Sequence, residues 1–238
     1  MPELIHLGEL PVQVFRKKIK NLHLSVLPPD GRVRISAPEK HSLERLKAYA
    51  STKLPWIRQQ QRQLRGQERE TPHRYVDRES HYLWGRRYLL KLVETDGTPG
   101  IVLKAKTINL HHRPGSTEQR RAEILEEWYR ETLKAAIAPL LATWEKRIGV
   151  RCTGFHVQRM RTKWGSCSPE KKTIRLNSEL ARKPKPCLEY LIVHELIHLI
   201  EPTHNARFRS LLDQHLPSWQ NRKKTLNSLP VRHEKWGY

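Results

Sequence analysis

An α+β fold is what the sequence predicts: a β-rich N-terminal region over about residues 1–112, then a more helical region over about 113–238. Three observations carry that expectation. Short extended runs punctuated by turn residues fill the first region; a long helical repeat opens the second; and a late apolar segment, "CLEYLIVHELIHLI" (187–200), reads as a buried helix carrying the pattern H-E-x-x-H.

Taken in order, "PVQVFRKKIKNLHLSVLPPDGRVRISAP" gives two extended runs, about 12–27 and 32–36, around the tetrad Pro28-Pro29-Asp30-Gly31, which is a hairpin signal. Ser42 then stands as an N-cap before Leu43, Leu46, Ala50, Leu54 and Ile57, which recur at helical spacing, and Pro55 should kink or divide that helix. Residues 65–80 are polar and read as a loop. "HYLWGRRYLLKLVE" and "IVLKAKTINLHH" read as further strands around the turn-rich "TDGTPG". No internal repeat is visible.

The second region opens with Ser116 and Gln119 in capping-box spacing. Ile124, Trp128, Leu133, Ile137, Leu140, Leu141 and Trp144 trace an apolar stripe, Pro139 should bend the helix, and Gly149 should stop it. "GFHVQRMRTKWGSCS" and "KTIRLNSEL" then form an expected hairpin through Ser168-Pro169-Glu170, ahead of the apolar helix.

Composition narrows the function classes. The 238 residues carry a formal charge of +21, spread as +8, +4 and +9 over 1–75, 76–158 and 159–238. The excess therefore covers the chain rather than forming a tail. It suits a solvated basic surface or a surface for nucleic acid. Cys152, Cys167 and Cys187 are odd in number and lack CxxC spacing, which points to reduced structural thiols rather than a disulfide framework. The N-terminus lacks the charged and apolar regions of a signal peptide, and no apolar run approaches the ~20 residues of a membrane span. A soluble, cytoplasmic protein is expected.

In the apolar helix, Glu189, His194, Glu195 and His198 are the exceptions. Burying two imidazoles and a carboxylate costs several kcal/mol unless they are paired or bind a metal. Residues at i and i+4 share a helix face, so His194 and His198 can aim ring nitrogens at one ion, with Glu195 placed beside it. Pro202 disfavours helix at Glu201, so the chain turns there and can return His204 toward the ion. Glu201, with poor reach, and His215, on the next helix, compete less well for the third position. Three protein ligands with an open fourth position is the catalytic arrangement of zinc. The alternative reading makes His194 and His198 satisfied core histidines.

"KWGSCS" (163–168), "IRLNSEL" (174–180), "VHELIHLIEPTHNARF" (193–208) and "LPSW" (216–219), together with "RKKIKNLHLSVLPPDGRVRISAP" and "WIRQQ", resemble the YgjP-like metallopeptidases, relatives of the SprT-like proteases. The resemblance covers nearly the whole chain. It implies a zincin-like α+β catalytic region, a Zn2+ ion held by His194, His198 and His204, and Glu195 as catalytic base acting through a metal-activated water on a peptide or protein substrate. It does not imply which substrate. Arg161, Lys163 and Asn177 are candidates to stabilise an oxyanion. Gly165 either marks a bulge or close backbone approach in a packed sheet, or lies on a strand that borders the cleft and pairs with an extended peptide. Phe208 and Trp219 read as core aromatics. Residues 1–112 are expected to recruit or occlude substrate without supplying a catalytic group. Two alternatives remain open: a metal-dependent nucleotide pyrophosphohydrolase, for which no Walker-type glycine loop speaks, and a nucleic-acid-associated protein with a structural metal. A protease recruited to nucleic acid would combine readings. The oligomeric state is not legible.

Overall fold

The structure, a computed structural model, describes residues 2–27, 30–66, 70–160 and 163–230. The chain forms two compact units, one ending at Glu70 and the other beginning at Thr71.

In the first unit, β1 (Glu3–Leu7) and β2 (Leu10–Arg16) form a hairpin turned at Gly8, whose φ of +62° lies in the region that favours glycine. β3 (His23–Leu27) pairs antiparallel with β4 (Arg32–Ala37), and β4 pairs parallel with β2, giving the order β1-β2-β4-β3. The expected hairpin is thus real in its second half, while the run 12–27 is two strands interrupted at 17–22. Pro28 and Pro29 of its turn lie outside the described residues. Alternation puts Ile5, Val12, Val14, Val33, Ile35 and Ala37 on one face. That face is closed by Leu46 and Ala50 of α1 (Leu43–Thr52) and Ile57 of α2 (Leu54–Gly66). Ser42 caps α1 by accepting from Arg45 N at 3.3 Å, and the helix breaks at Lys53, two residues before Pro55.

In the second unit, β5 (Ser80–Leu83), β6 (Arg86–Glu94), β7 (Gly100–Leu103) and β8 (Thr107–His112) take the order β5-β6-β8-β7. Their senses match those of the first sheet: hairpin, parallel central pair, antiparallel edge. A repeat invisible in the sequence is present in the topology. These strands share one core with the described elements that follow them, because Leu83, Leu90, Ile108 and Leu110 pack with Leu125, Leu133 and Ile137 of α3 (Glu118–Ile148). The division therefore falls at 70/71 and not at the expected 112/113.

α3 is capped by Thr117, which accepts from Arg120 N at 3.2 Å, one residue later than expected. It runs through Pro139 and ends at Gly149, whose φ of 77° is left-handed. Its buried stripe is Leu125, Tyr129, Leu133, Ile137, Leu141 and Trp144. Leu125 and Tyr129 thus replace the expected Ile124 and Trp128: Tyr129 donates its hydroxyl to Tyr82 O at 2.7 Å and lies under Arg182, 4.0 Å from its ring centroid.

β9 (Gly154–Gln158), β10 (Gly165–Ser168) and β11 (Thr173–Asn177) form a third sheet in the order β10-β11-β9, and the expected β10–β11 hairpin is present. A 3-10 turn, Ser178–Arg182, leads into α4 (Lys185–Ile197). The buried Arg182 anchors that turn, pairing with Glu179 at 2.8 Å and with Glu126 of α3 at 2.6 Å. Glu189 of α4 accepts from Trp144 Nε1 at 3.2 Å and pairs with Arg222, which accounts for this charge in an apolar helix. α5 (Ala206–His215) and α6 (Trp219–Ser228) complete the unit, and both pack on α4.

Candidate metal centre

α4 starts at Pro184, has Pro186 in its first turn where a missing N–H does no harm, and is buried through most of its length. It is packed by α3, α5, α6, β10 and β11, so its side chains meet protein on nearly every side. His198 closes the helix in helical geometry, and its Nδ1 bonds to Glu201 O at 3.1 Å. That bond places the Nδ1 proton on the outer side and leaves Nε2 as a lone pair.

Beyond Pro202 the chain turns tightly. The Glu201 carboxylate accepts from Thr203 N at 3.2 Å and Thr203 Oγ1 at 2.8 Å, so Glu201 shapes the turn. Asn205 caps α5 by accepting from Phe208 N at 2.9 Å. Between these fixed points His204 swings back: its Nε2 lies 3.1 Å from His198 Nε2 and 3.0 Å from His194 Nε2. His215 lies outside this cluster.

Phe208, read from the sequence as a core aromatic, is buried and also backs all three imidazoles, with ring centroids 4.9, 4.6 and 4.8 Å from those of His194, His198 and His204. The signal available in the sequence was its position, four residues after His204 and three after the cap Asn205.

The electrostatics keep the imidazoles neutral. Burial, then the neighbouring His198, His204 and Lys223, push His194 down to about 3; burial likewise lowers His198 and His204. With His204 Nε2 about 3 Å from each of the other two, the lone-pair nitrogens repel one another unless a cation or a shared proton lies among them. Tetrahedral zinc with Zn–N of about 2.0–2.1 Å needs N···N separations near ~3.3 Å, so this donor set fits such an ion. His194 Nδ1 is buried without a hydrogen-bond partner.

Glu195 is 4% exposed, and burial pushes its carboxyl up to about 8, opposed by Lys163. It faces β10. A Cβ built on Gly165 would lie 2.5 Å from Glu195 Oε1 and 3.1 Å from both Cγ and Cδ. Gly165 does not have a positive φ, so glycine is required there for close approach to the carboxylate.

The oxyanion candidates separate. Asn177 is buried and its amide donates to Met160 O at 2.7 Å and Lys163 O at 2.8 Å, while its oxygen accepts from Glu179 N at 3.2 Å. Both amide hydrogens are committed to holding the strand connection, so Asn177 is a scaffold residue. Lys163 is exposed and within electrostatic reach of Glu195. Arg161 lies outside the described residues. Tyr190, which the sequence did not single out, sits edge-on to His194 at 5.7 Å; burial and Glu195 push its phenol up to about 12, so it remains a donor.

Two imidazoles on a buried helix, a third returned by the turn that follows it, and a neighbouring carboxylate make a candidate metal centre of the kind hydrolases use. The family model of the YgjP-like metallopeptidase domain matches residues 20–229, and the chain belongs to that family. No curated protein matches it in sequence. Among solved structures it is similar to the metallopeptidase zymogen of Pyrococcus abyssi abylysin, with 18% identity and a TM-score of 0.33 over 39% of this chain and 96% of that one. It is also similar to the metallopeptidase zymogen of Methanocaldococcus jannaschii jannalysin, with 22% identity and a TM-score of 0.35 over 38% and 92%. Membership makes the chain a metallopeptidase, with a metal ion and a peptide or protein substrate implied. Among the described residues no helix is long and apolar enough to cross a membrane.

Proposed function

We propose that the chain is a zinc-dependent peptidase in which His194, His198 and His204 hold the ion through Nε2 and Glu195 is the general base. The observation that carries this reading is the meeting of three Nε2 atoms beside a buried carboxylate. Bound zinc supplies Lewis acidity, acidifying water and polarising a carbonyl. Glu195 takes the proton released when water attacks the scissile carbonyl, then returns it to the leaving amine. Gly165 holds the carboxylate in place by letting the β10 backbone approach.

β10 is an edge strand of its sheet and runs past Glu195. An extended peptide pairing with that edge would present its carbonyl to the site, which supports peptide rather than nucleotide as substrate. Lys163 and Tyr190 are the side chains proposed to meet the developing oxyanion. Loading metal-stripped protein with one equivalent of Zn2+ and assaying an unfolded protein tests the reading. Cleavage that returns with zinc and disappears in His204→Ala supports it. Undiminished zinc content and cleavage in that variant remove His204 from the site.

A further inference from the structure

A second group of ligand-type side chains lies far from α4 in sequence. His73, Glu79 and His81 bring one donor atom each to within 4.8 Å of one another. Glu79 stands between the two imidazoles, with Oε2 2.9 Å from His81 Nε2 and Oε1 3.5 Å from His73 Nδ1. The rings stack, with centroids 4.5 Å apart and planes 21° from parallel, so both imidazole edges face the same carboxylate.

The surroundings are built to hold that arrangement. Glu79 Oε1 accepts from Arg74 N at 2.8 Å and Oε2 from Tyr75 N at 2.9 Å, which orients the carboxylate as an outer shell orients a metal ligand. Arg78 N donates to Leu90 O and Leu90 N to Glu79 O, each at 2.8 Å, while Arg121 Nε donates to Tyr75 O at 2.9 Å. Tyr75 and Arg78 have φ of 54° and 62°, two of four non-glycine residues in the left-handed region among those described. Strain of this kind persists where the neighbouring structure over-determines it, and it gathers at binding sites. His81 is 1% exposed and meets the carboxylate through Nε2. A purely structural position would be filled more cheaply by an apolar ring of similar shape.

We propose that His73, Glu79 and His81 form a second metal site, for a first-row divalent cation that favours mixed nitrogen and oxygen donors. Two imidazoles and one carboxylate suit zinc or cobalt and disfavour magnesium and calcium, which want oxygen. The loop is already closed by its own hydrogen bonds, so little ordering remains to oppose binding. The ion must displace the contacts that Glu79 makes with the two rings, so this site is the weaker of the two. It is argued independently of the role proposed for α4.

The test is metal stoichiometry of the full chain, stripped by chelator and then equilibrated with Zn2+ or Co2+ in excess magnesium and calcium. Wild type should bind two equivalents. His73→Ala, at the rim of the cluster, and Glu79→Gln should each bind one. His198→Ala with His204→Ala should retain one, and that remaining equivalent should disappear when His73→Ala is added. Near-ultraviolet circular dichroism confirms that each variant is folded, and since His81 is buried the test does not depend on replacing it. Saturation of folded wild type at one equivalent that survives His73→Ala, or a second equivalent that survives both His73→Ala and Glu79→Gln, would overturn the proposal and leave the cluster a hydrogen-bonded knot.

Discussion

The two histidine clusters of this chain contain similar ligands and differ in what faces the nitrogens. In the first, His204 Nε2 faces those of His194 and His198 at 3.0 and 3.1 Å, and the carboxylate of Glu195 belongs to the neighbouring helix position. At His73 and His81 the nitrogens face Glu79, which offers each ring an acceptor. The first arrangement is unfavourable without a cation, whereas the second satisfies itself in part without one. Residue type alone does not make a catalytic centre. The difference is made by where the acceptor sits, and on the reading proposed here the tighter and chemically active ion belongs to the cluster on α4.

The largest effect should separate the clusters outright. His198→Ala removes a nitrogen that no other residue replaces, and we expect loss of the α4 metal together with essentially all peptide hydrolysis. His73→Ala should leave hydrolysis within about threefold of wild type, far less than the 10²–10⁴-fold that a positioned acid or base contributes. Metal analysis and turnover on the same preparations check both, and equal losses in the two variants would break the comparison.

Gly165→Ala should come next. The added methyl meets Glu195 at 2.5 Å and must displace it, so turnover should fall by about 10²-fold, the scale of a 1 Å misplacement, with metal content unchanged. Kinetics on the metal-replete variant measure this, and unimpaired turnover would show that Glu195 tolerates the shift.

Phe208→Ala removes the ring behind all three imidazoles. Chemical denaturation should register a loss of about 3–5 kcal/mol, and metal affinity should weaken with it. Stability lost without any change in affinity would make Phe208 a core residue only.

The smallest effect concerns pH in the metal-free protein. Burial raises the Glu195 carboxyl from 4.5 to about 8, so the folded chain binds this proton more tightly than the unfolded one. The associated stability is present below the lower value and is lost as pH rises through the upper. Metal-free Glu195→Gln lacks that titration. The melting temperature of metal-free wild type should therefore drop relative to the variant's between roughly pH 5 and pH 9. Parallel curves would show that Glu195 is not buried in a desolvated site.

Much of this was legible in residue order and some of it was not. The H-E-x-x-H spacing, the turn forced at Pro202 and the apolar character of 187–200 were enough to select His194, His198 and His204 as residues to watch, because helical periodicity fixes which side chains share a face. The β3–β4 and β10–β11 hairpins carried turn residues at their tips. The parallel pairings of β2 with β4 and β6 with β8 carried none, since they depend on contacts distant in sequence. For the same reason β5–β8 looked like part of an N-terminal region, although their inward residues pack on α3. On α3, Ile124 and Trp128 matched the helical period as well as Leu125 and Tyr129 did. The partners Tyr82 and Arg182 decided between the two, and they are remote in the chain. The role of Gly165 was undecidable until Glu195 was seen against it, and the spent amide of Asn177 likewise needed the loop it holds.

The central claim is that Glu195 moves the proton at a site whose ion is held by histidines alone, and Glu195→Gln tests it most directly. The substitution preserves shape and a hydrogen-bonding group while removing the acceptor. Zinc content, melting temperature and peptide hydrolysis should be measured on one preparation. The account predicts a folded, zinc-replete protein whose turnover is lower by about 10²–10⁴-fold. A folded, zinc-replete Glu195→Gln protein with near-normal turnover would contradict it.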